Sequence, residues 1–238
     1  MFGSEPGDWA WADAYHRHGL EYYPKLVCAV PFSPVCGARL LATTSEARLR
    51  LIRASLELGE KASSLHVLFP TDAETEDLAS AGLMLRRGVQ FHWRNDGYEN
   101  FDDFLARLSH DKRKKIKQER KKIQGLGFKI KKIKGPEIIE ADLDFFYACY
   151  CNTYQEHHSN PYLTRNFFSL IRESMSENVL LILAYEGDIP VAGSFFIYDN
   201  KNLYGRYWGS KSFYPGLHFE LSYYQGQEFC IENGIVVF

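Results

Sequence analysis

The sequence predicts a mixed α/β protein built as two units that meet near residue 96. Three observations carry this. Helix-like and strand-like periodicities alternate through the first 95 residues. The segment NDGYEN then gathers turn-forming and charged residues with no apolar run. Farther on, VLLILAY, PVAGSFFIY and LYGRYW follow one another with only short turns, around EGD and DNKN, which suits an antiparallel meander.

In order, DWAWADAYHRHGL reads as a short helix ending near Gly19, and LVCAVPF as a strand interrupted by Pro31 and Pro34. EARLRLIRASLELGEKA places Leu49, Ile52, Leu56 and Gly59 at helical spacing, with Ser45 as its N-cap. LHVLF is a buried strand closed by Pro70, and DAETEDLASAGL a second short helix. VQFHWRN alternates Val89, Phe91 and Trp93 against Gln90, His92 and Arg94, the pattern of a half-buried strand. The first unit, residues 1–96, therefore reads α-β-α-β-α-β.

The second unit, residues 97–238, opens with the helix FDDFLARL. Ser109 is placed to cap a basic helix that Gly125 and Gly127 end. FKIKKIK alternates as a strand with one wet face. Two helices follow, one with Leu143, Phe146, Tyr147, Tyr150 and Tyr154 on a face, the other with Phe168, Ile171 and Met175. After the meander, GSKSFYPG leads into a last helix carrying Leu217, Leu221, Tyr224 and Ile231 on one side. IVVF looks like the opening of a parallel strand.

Composition narrows the function classes. Of the 24 residues from 111 to 134, twelve are Lys or Arg and two are acidic, so the rest of a chain with net charge −2 is strongly acidic. Such asymmetry points to an acidic partner or to a solvated helix. The candidates are nucleic acid, a phosphorylated small molecule, or an anionic membrane surface. No apolar run reaches the ~18 to 20 residues of a membrane span, and MFGSEPGDW lacks the features of a signal peptide. Cys28, Cys36, Cys149, Cys151 and Cys230 have no metal-ligand spacing. They read as reduced thiols of a cytoplasmic protein that holds no metal.

From Phe128 onward the order β-α-α-β-β-β-α-(β) is that of the GNAT acyltransferase fold up to its fifth strand. The first half repeats the back portion of that order. The expectation is thus one partial and one nearly complete GNAT-like unit. Longer motifs sharpen the likeness: FHWRNDGYENFDDFLARLSHDKRKKIKQER, TYQEHHSNPYLTRNFF, VAGSFF with LYGRYWG, and LHFELSYYQGQEFCIENG. Together they resemble the Fem-like group of predicted N-acyltransferases, labelled peptidoglycan biosynthesis or recognition proteins. The resemblance implies further sequence before DWAWADAY and after IENG, so the chain reads as truncated at both ends and, in this form, as one that can lack activity alone.

The resemblance implies direct attack of an amine on a thioester or ester carbonyl. The protein's tasks are alignment, oxyanion stabilisation by backbone N–H groups and proton removal; no nucleophilic triad is needed. Proton transfer falls to His157, His158, Glu156, His218 or Glu220, from QEHHSNPY and LHFE. The acyl-CoA loop signature Q/R-x-x-G-x-G/A is absent, but Gly209, Ser210, Lys211 and Gly216 can form an anion-holding loop at its place. Acyl-CoA and aminoacyl-transfer RNA both stay open as donors. Arg206, between Tyr204 and Trp208 on a strand where all three alternate with Leu203, Gly205 and Tyr207, is a carboxylate or phosphate clamp or a cation–π contact; Arg94 has a weaker case of the same kind. Lys112, Arg113 and Lys115 head the basic run, which borders the expected cleft as a phosphate-facing edge for a donor or a cell-wall precursor. The expected function is acyl or aminoacyl transfer to an amine. The alternatives are a non-catalytic module for peptidoglycan precursors and a nucleic-acid-binding module using residues 112–134.

Overall fold

The computed structural model describes residues 8–238; most of MFGSEPGDW lies outside the described residues, so its reading as no signal peptide is not addressed. The chain divides into two compact units at Val89/Gln90. In the first, α1 (Asp8–Arg17) leads to β1 (Lys25–Cys28), α2 (Ser45–Gly59), β2 (Ser64–Val67) and α3 (Asp72–Ser80). The two strands pair in parallel from Lys25 opposite Ser64 to Cys28 opposite Val67, with α2 as the crossover that parallel neighbours require. Thr44, rather than Ser45, caps α2: its Oγ1 accepts from the Ala47 N–H at 3.1 Å. Either hydroxyl fits the cap pattern, and the turn of the chain into the helix selects the earlier one.

The core of this unit is Leu40, Ile52 and Leu78. Beside it the buried Glu74 closes a capping box with Thr71 and accepts the Arg39 and Leu40 N–H groups at 2.8 and 2.7 Å. Burial alone would raise its pKa, but the bonds from Leu40, Thr71 and Arg39 outweigh that and hold it below the ordinary carboxylate value.

The second unit runs α4 (Phe101–Ala106), α5 (His110–Gly125), β3 (Lys129–Lys134), α6 (Glu140–Glu156), α7 (Arg165–Ser174), β4 (Val179–Glu186), β5 (Ile189–Tyr198) and β6 (Leu203–Ser210). It ends in one continuous helical rod: α8 (Leu217–Phe219), a π-helical turn (Glu220–Tyr224) and α9 (Gln225–Asn233). The sheet order is β3-β4-β5-β6 and every pairing is antiparallel. Ser109 stands at the N-cap of α5, but its side chain makes no capping bond; its carbonyl accepts from the Arg113 N–H instead.

Strand β4 explains the layering. Val179 to Ala184 are all fully buried, so neither face of the sheet meets water there. Its alternate residues separate by the period of two. Val179, Leu181 and Leu183 pack with Phe146, Tyr150 and Phe168 of α6 and α7, and Leu180, Ile182 and Ala184 with Ile123, Leu217, Leu221 and Phe229 on the other side. The result is a helix–sheet–helix sandwich.

The IVVF tail runs beside the start of β6: Val237 bridges Asn202 in parallel, and its carbonyl accepts the Leu203 N–H at 2.8 Å. Residues 93–95 line the tail's far side, Arg94 bridging Val237 antiparallel. Trp93 and Phe238 exchange both backbone hydrogen bonds, at 2.6 and 2.9 Å. VQFHWRN is therefore not the strand its alternation predicts. Val89 and Phe91 are exposed, and only the Trp93–Asn95 end finds backbone partners, within the second unit. Alternation reports a face that could be buried, whereas a strand also needs a neighbour to bond.

Candidate active site

The end of β6 lies directly on the last turns of α6. A methyl group at Gly209 would overlap the Cys149 carbonyl. The two elements are joined there by Thr153 Oγ1 donating to the Trp208 carbonyl at 3.1 Å and Asn152 Nδ2 donating to the Ser210 carbonyl at 2.9 Å. Glycine at 209 is what permits so close an approach.

One turn back along the strand the register breaks. Phe195 opposes Tyr207, but Phe196 opposes Gly205, so the register shifts at Arg206, which forms the bulge. A bulge re-aims side chains that strict alternation would send to the other face. This corrects the expectation that Arg206 alternates with Tyr207. Its guanidinium carbon lies 5.3 Å from the Tyr207 ring centroid, and Nη2 donates to the Tyr207 hydroxyl at 3.4 Å.

Between α6 and the bulge opens a cleft of about 380 Å³, lined by Tyr150, Thr153, Tyr154, His157, Ser159, Arg206, Tyr207 and Trp208. Its floor is a mesh of tyrosine rings. Tyr150 is 4.8 Å from Tyr154 and 5.3 Å from Tyr207, and Tyr162 sits 5.5 Å from Tyr154. Burial pushes the Tyr207 phenol up to about 12, with Tyr162 adding to the shift and Arg206 opposing it. Burial also raises Tyr150 and Tyr154. All three therefore stay protonated at neutral pH and can donate hydrogen bonds. Among the described residues, the lining contains a permanent cation and an imidazole but no carboxylate.

Of the residues expected from the sequence, Arg206, Tyr207 and His157 meet at this cleft. His157 caps α6, its N–H bonding to the Thr153 carbonyl. His158, next to it, is exposed with φ +52° and does not line the cleft, and Glu156 accepts from Asn152 at 3.2 Å. His218 lies elsewhere, among the rings of Trp208, Phe219 and Tyr223. Partial desolvation lowers its pKa, which favours the neutral imidazole. Lys211 is exposed, with Nζ 5.1 Å from the Phe145 ring centroid.

Glu220 is not placed as a free base. It is buried, and it accepts from Arg120 Nε at 3.1 and 3.2 Å, from Arg120 Nη2 at 2.9 Å and from Gln225 Nε2 at 2.8 Å. Those donors engage both oxygens, so its role is to anchor the basic helix. Arg120 completes the fork with Glu228 at 2.7 Å, while Tyr224 donates to Glu119 at 2.6 Å. Burial works against the charge on Arg120, but the bonds it donates to Glu228 and Glu220 outweigh it and raise its pKa. The rest of α5 is largely solvated: Lys112 and Lys115 are exposed, Arg113 partly so, and Lys117 pairs with Asp102 at 2.8 Å.

The sequence reading missed Tyr150, Tyr154, Thr153 and Ser159 as lining residues. Tyr150 and Tyr154 looked like ordinary core positions. The available signal was that this helical stripe carries hydroxyl-bearing tyrosines where leucines would pack as well.

One solved structure supports the architecture. The C-terminal DUF2156 domain of an Agrobacterium fabrum protein designated a lysylphosphatidylglycerol synthetase superposes with TM-score 0.53 at 11% identity, over 82% of this chain and 60% of that one. At that identity the likeness is one of fold, and the chain spans less than two thirds of that domain. A functionally unknown conserved protein from Staphylococcus epidermidis aligns over 78% of this chain and 67% of that one, at 14% identity and TM-score 0.33. No curated protein matches the sequence. The family model FemAB-like, described as peptidoglycan biosynthesis/recognition, matches residues 5–238. The chain belongs to the FemAB-like family.

Proposed function

We propose that the chain is the GNAT-like portion of a Fem-like N-acyltransferase, moving an acyl or aminoacyl group from an activated donor to an amine in cell-wall precursor metabolism. The observation that carries this reading is the bulged β6, which lines a cleft at the Arg206 side chain within a four-stranded antiparallel sheet. Membership of a peptidoglycan biosynthesis/recognition family is consistent with it, as is the fold shared with a domain designated a lysylphosphatidylglycerol synthetase.

In this scheme the amine lone pair attacks the donor carbonyl carbon. The new C–N bond forms, the oxyanion collapses, and the C–S or C–O bond to the leaving group breaks. The amine proton passes to a base. His157 at the cleft is the candidate there, and His218, which desolvation keeps neutral, is the reserve. Acyl-CoA and aminoacyl-transfer RNA are the two donor classes, and the solvated cations of α5 offer either one a phosphate-facing edge.

A second reading, recognition without catalysis, is favoured by one observation: among the described residues the cleft lining holds no carboxylate, and Glu220 is engaged by Arg120 and Gln225. The deciding experiment incubates the purified full-length protein with acetyl-CoA or with aminoacyl-transfer RNA and a panel of amines, followed by mass spectrometry of the products. Transfer that His157→Ala reduces is the expected result. A folded protein that transfers from neither donor would sink the enzyme reading in favour of the recognition module.

A further inference from the structure

The basic helix and the C-terminal rod together present a surface outside the α6–β6 cleft. Two contacts lay α5 along the rod. A Cβ at Gly216 would stand 3.6 Å from Ile123 Cδ1, and Tyr224 donates to Glu119 at 2.6 Å. Positions 112, 115, 119 and 122 follow the spacing of one helical stripe, so Lys112, Lys115 and Lys122 share the flank that Glu119 turns toward the rod. All three lysines are exposed. Lys115 approaches Glu119 only at 3.9 Å, with its side chain 77% exposed, and among the described residues Lys112 and Lys122 have no acidic partner.

The same stretch of chain carries apolar rings on its solvent side. Phe213, in the loop before Gly216, is 87% exposed. Phe219 and Tyr223, at 54% and 47%, stack on each other with centroids 5.6 Å apart. Exposed rings beside a line of ammonium groups match a partner that is anionic at its surface and apolar just beneath. The headgroup boundary of a bilayer containing anionic lipid has that layering: lysines gain from its surface potential, and rings gain by entering the acyl boundary. A single-stranded nucleic acid also uses rings and lysines, but its bases stack within a groove that tracks the backbone. Phe213 stands out from the surface instead, and neither phenylalanine carries a polar group to read a base edge.

We propose that this face docks the protein peripherally on an anionic membrane surface, with Phe213 and Phe219 entering the interface and Lys112, Lys115 and Lys122 meeting the lipid phosphates. Docking of this kind is independent of the reaction performed, so it stands or falls apart from the transfer assay.

The test is co-sedimentation of the full-length protein with vesicles of phosphatidylcholine alone and of phosphatidylcholine containing about 30% phosphatidylglycerol, with and without a mixed-sequence single-stranded oligonucleotide as competitor. Binding to the anionic vesicles is expected to be about tenfold stronger or more, and to weaken as salt is raised. Lys112→Gln, Lys115→Gln and Lys122→Gln combined should lower it by about tenfold or more, and Phe213→Ser by several-fold, with circular dichroism unchanged in both. Equal binding to the two vesicles, binding to neither, or anionic binding that survives either variant overturns the proposal. An oligonucleotide that displaces the vesicles, and whose own binding is lost in the same variants, would make the face a nucleic-acid platform instead. Should the lysine variant unfold, Phe213→Ser and the salt dependence, which leave α5 intact, decide the matter.

Discussion

Arg120 and Glu220 are 100 residues apart in sequence and form a two-pronged ion pair between α5 and the π-helical turn, with the Glu220 side chain only 4% exposed. The π turn makes this convergence possible. In a regular α-helix residues i and i+5 point well apart, whereas the wider turn aligns Gln225 with Glu220, so that Gln225 Nε2 also reaches the carboxylate. Arg120 thus ties α5 to the helical rod, alongside the Tyr224–Glu119 hydrogen bond and the buried Ile123.

Removing one partner of such a pair strands the other charge in a poorly solvated place. Glu220→Ala is expected to lower unfolding free energy by about 3–5 kcal/mol, measured by chemical denaturation. An unchanged stability accompanied by a fall in rate would show that Glu220 serves as a base instead.

Gly209 touches the backbone of α6. Gly209→Ala is expected to push α6 off β6, cost about 1–3 kcal/mol as overpacking, and disturb the resonances of Tyr150 and Tyr207 more than those of Ile52 in the other unit. A neutral melting temperature would contradict the close approach.

In β4, Leu181 is fully buried among the rings of α6 and α7. Leu181→Ala is expected to destabilise by about 2–5 kcal/mol through lost burial and the cavity left behind. Equilibrium unfolding in urea would register this as a lower midpoint at unchanged slope.

The lowered pKa of His218 has a defined sign. The unfolded chain takes up its proton near the ordinary histidine value of about 6.5, whereas the folded chain holds out to lower pH. The stability that neutral His218 contributes is therefore complete above that value and is lost as pH falls through the folded pKa. Comparing wild type with His218→Asn from pH 8 to 5 should show two curves that run parallel above about 6.5 and converge or cross below it. Curves parallel throughout would disprove the linkage.

Most cations of α5 face solvent. Substituting Lys114 and Lys121 together with Gln is expected to change stability by less than about 0.5 kcal/mol, while weakening any salt-dependent retention on a polyanion column. A large loss of stability would mean that these side chains pack rather than float.

Much of the fold was legible because local patterns coincide with what the fold needs. The short turns EGD and DNKN lead into the hairpins of the meander, and VLLILAY, expected as one of its strands, is buried on both faces from Val179 to Ala184. The charge density of the basic helix left a solvated helix as one reading, and most of its lysines do face water. The site was less legible. Arg206, Tyr207 and His157 stood out by chemistry, but Tyr150 and Tyr154 were indistinguishable from core residues, and Glu220 from a free carboxylate.

The stretch from Asp111 to Lys134 shows where the division lies. Its charge, its helix ending at Gly125 and the strand beginning at Lys129 follow from the sequence, because capping glycines, periodicity and solvation are local properties. The structure alone decided that Arg120 turns inward to Glu220 and Glu228, that Arg206 occupies a bulge, and that Trp93 to Asn95 pair with the C-terminal tail. Each of these is a contact between residues far apart in sequence, set by how whole elements pack, and no periodicity in either segment encodes its partner.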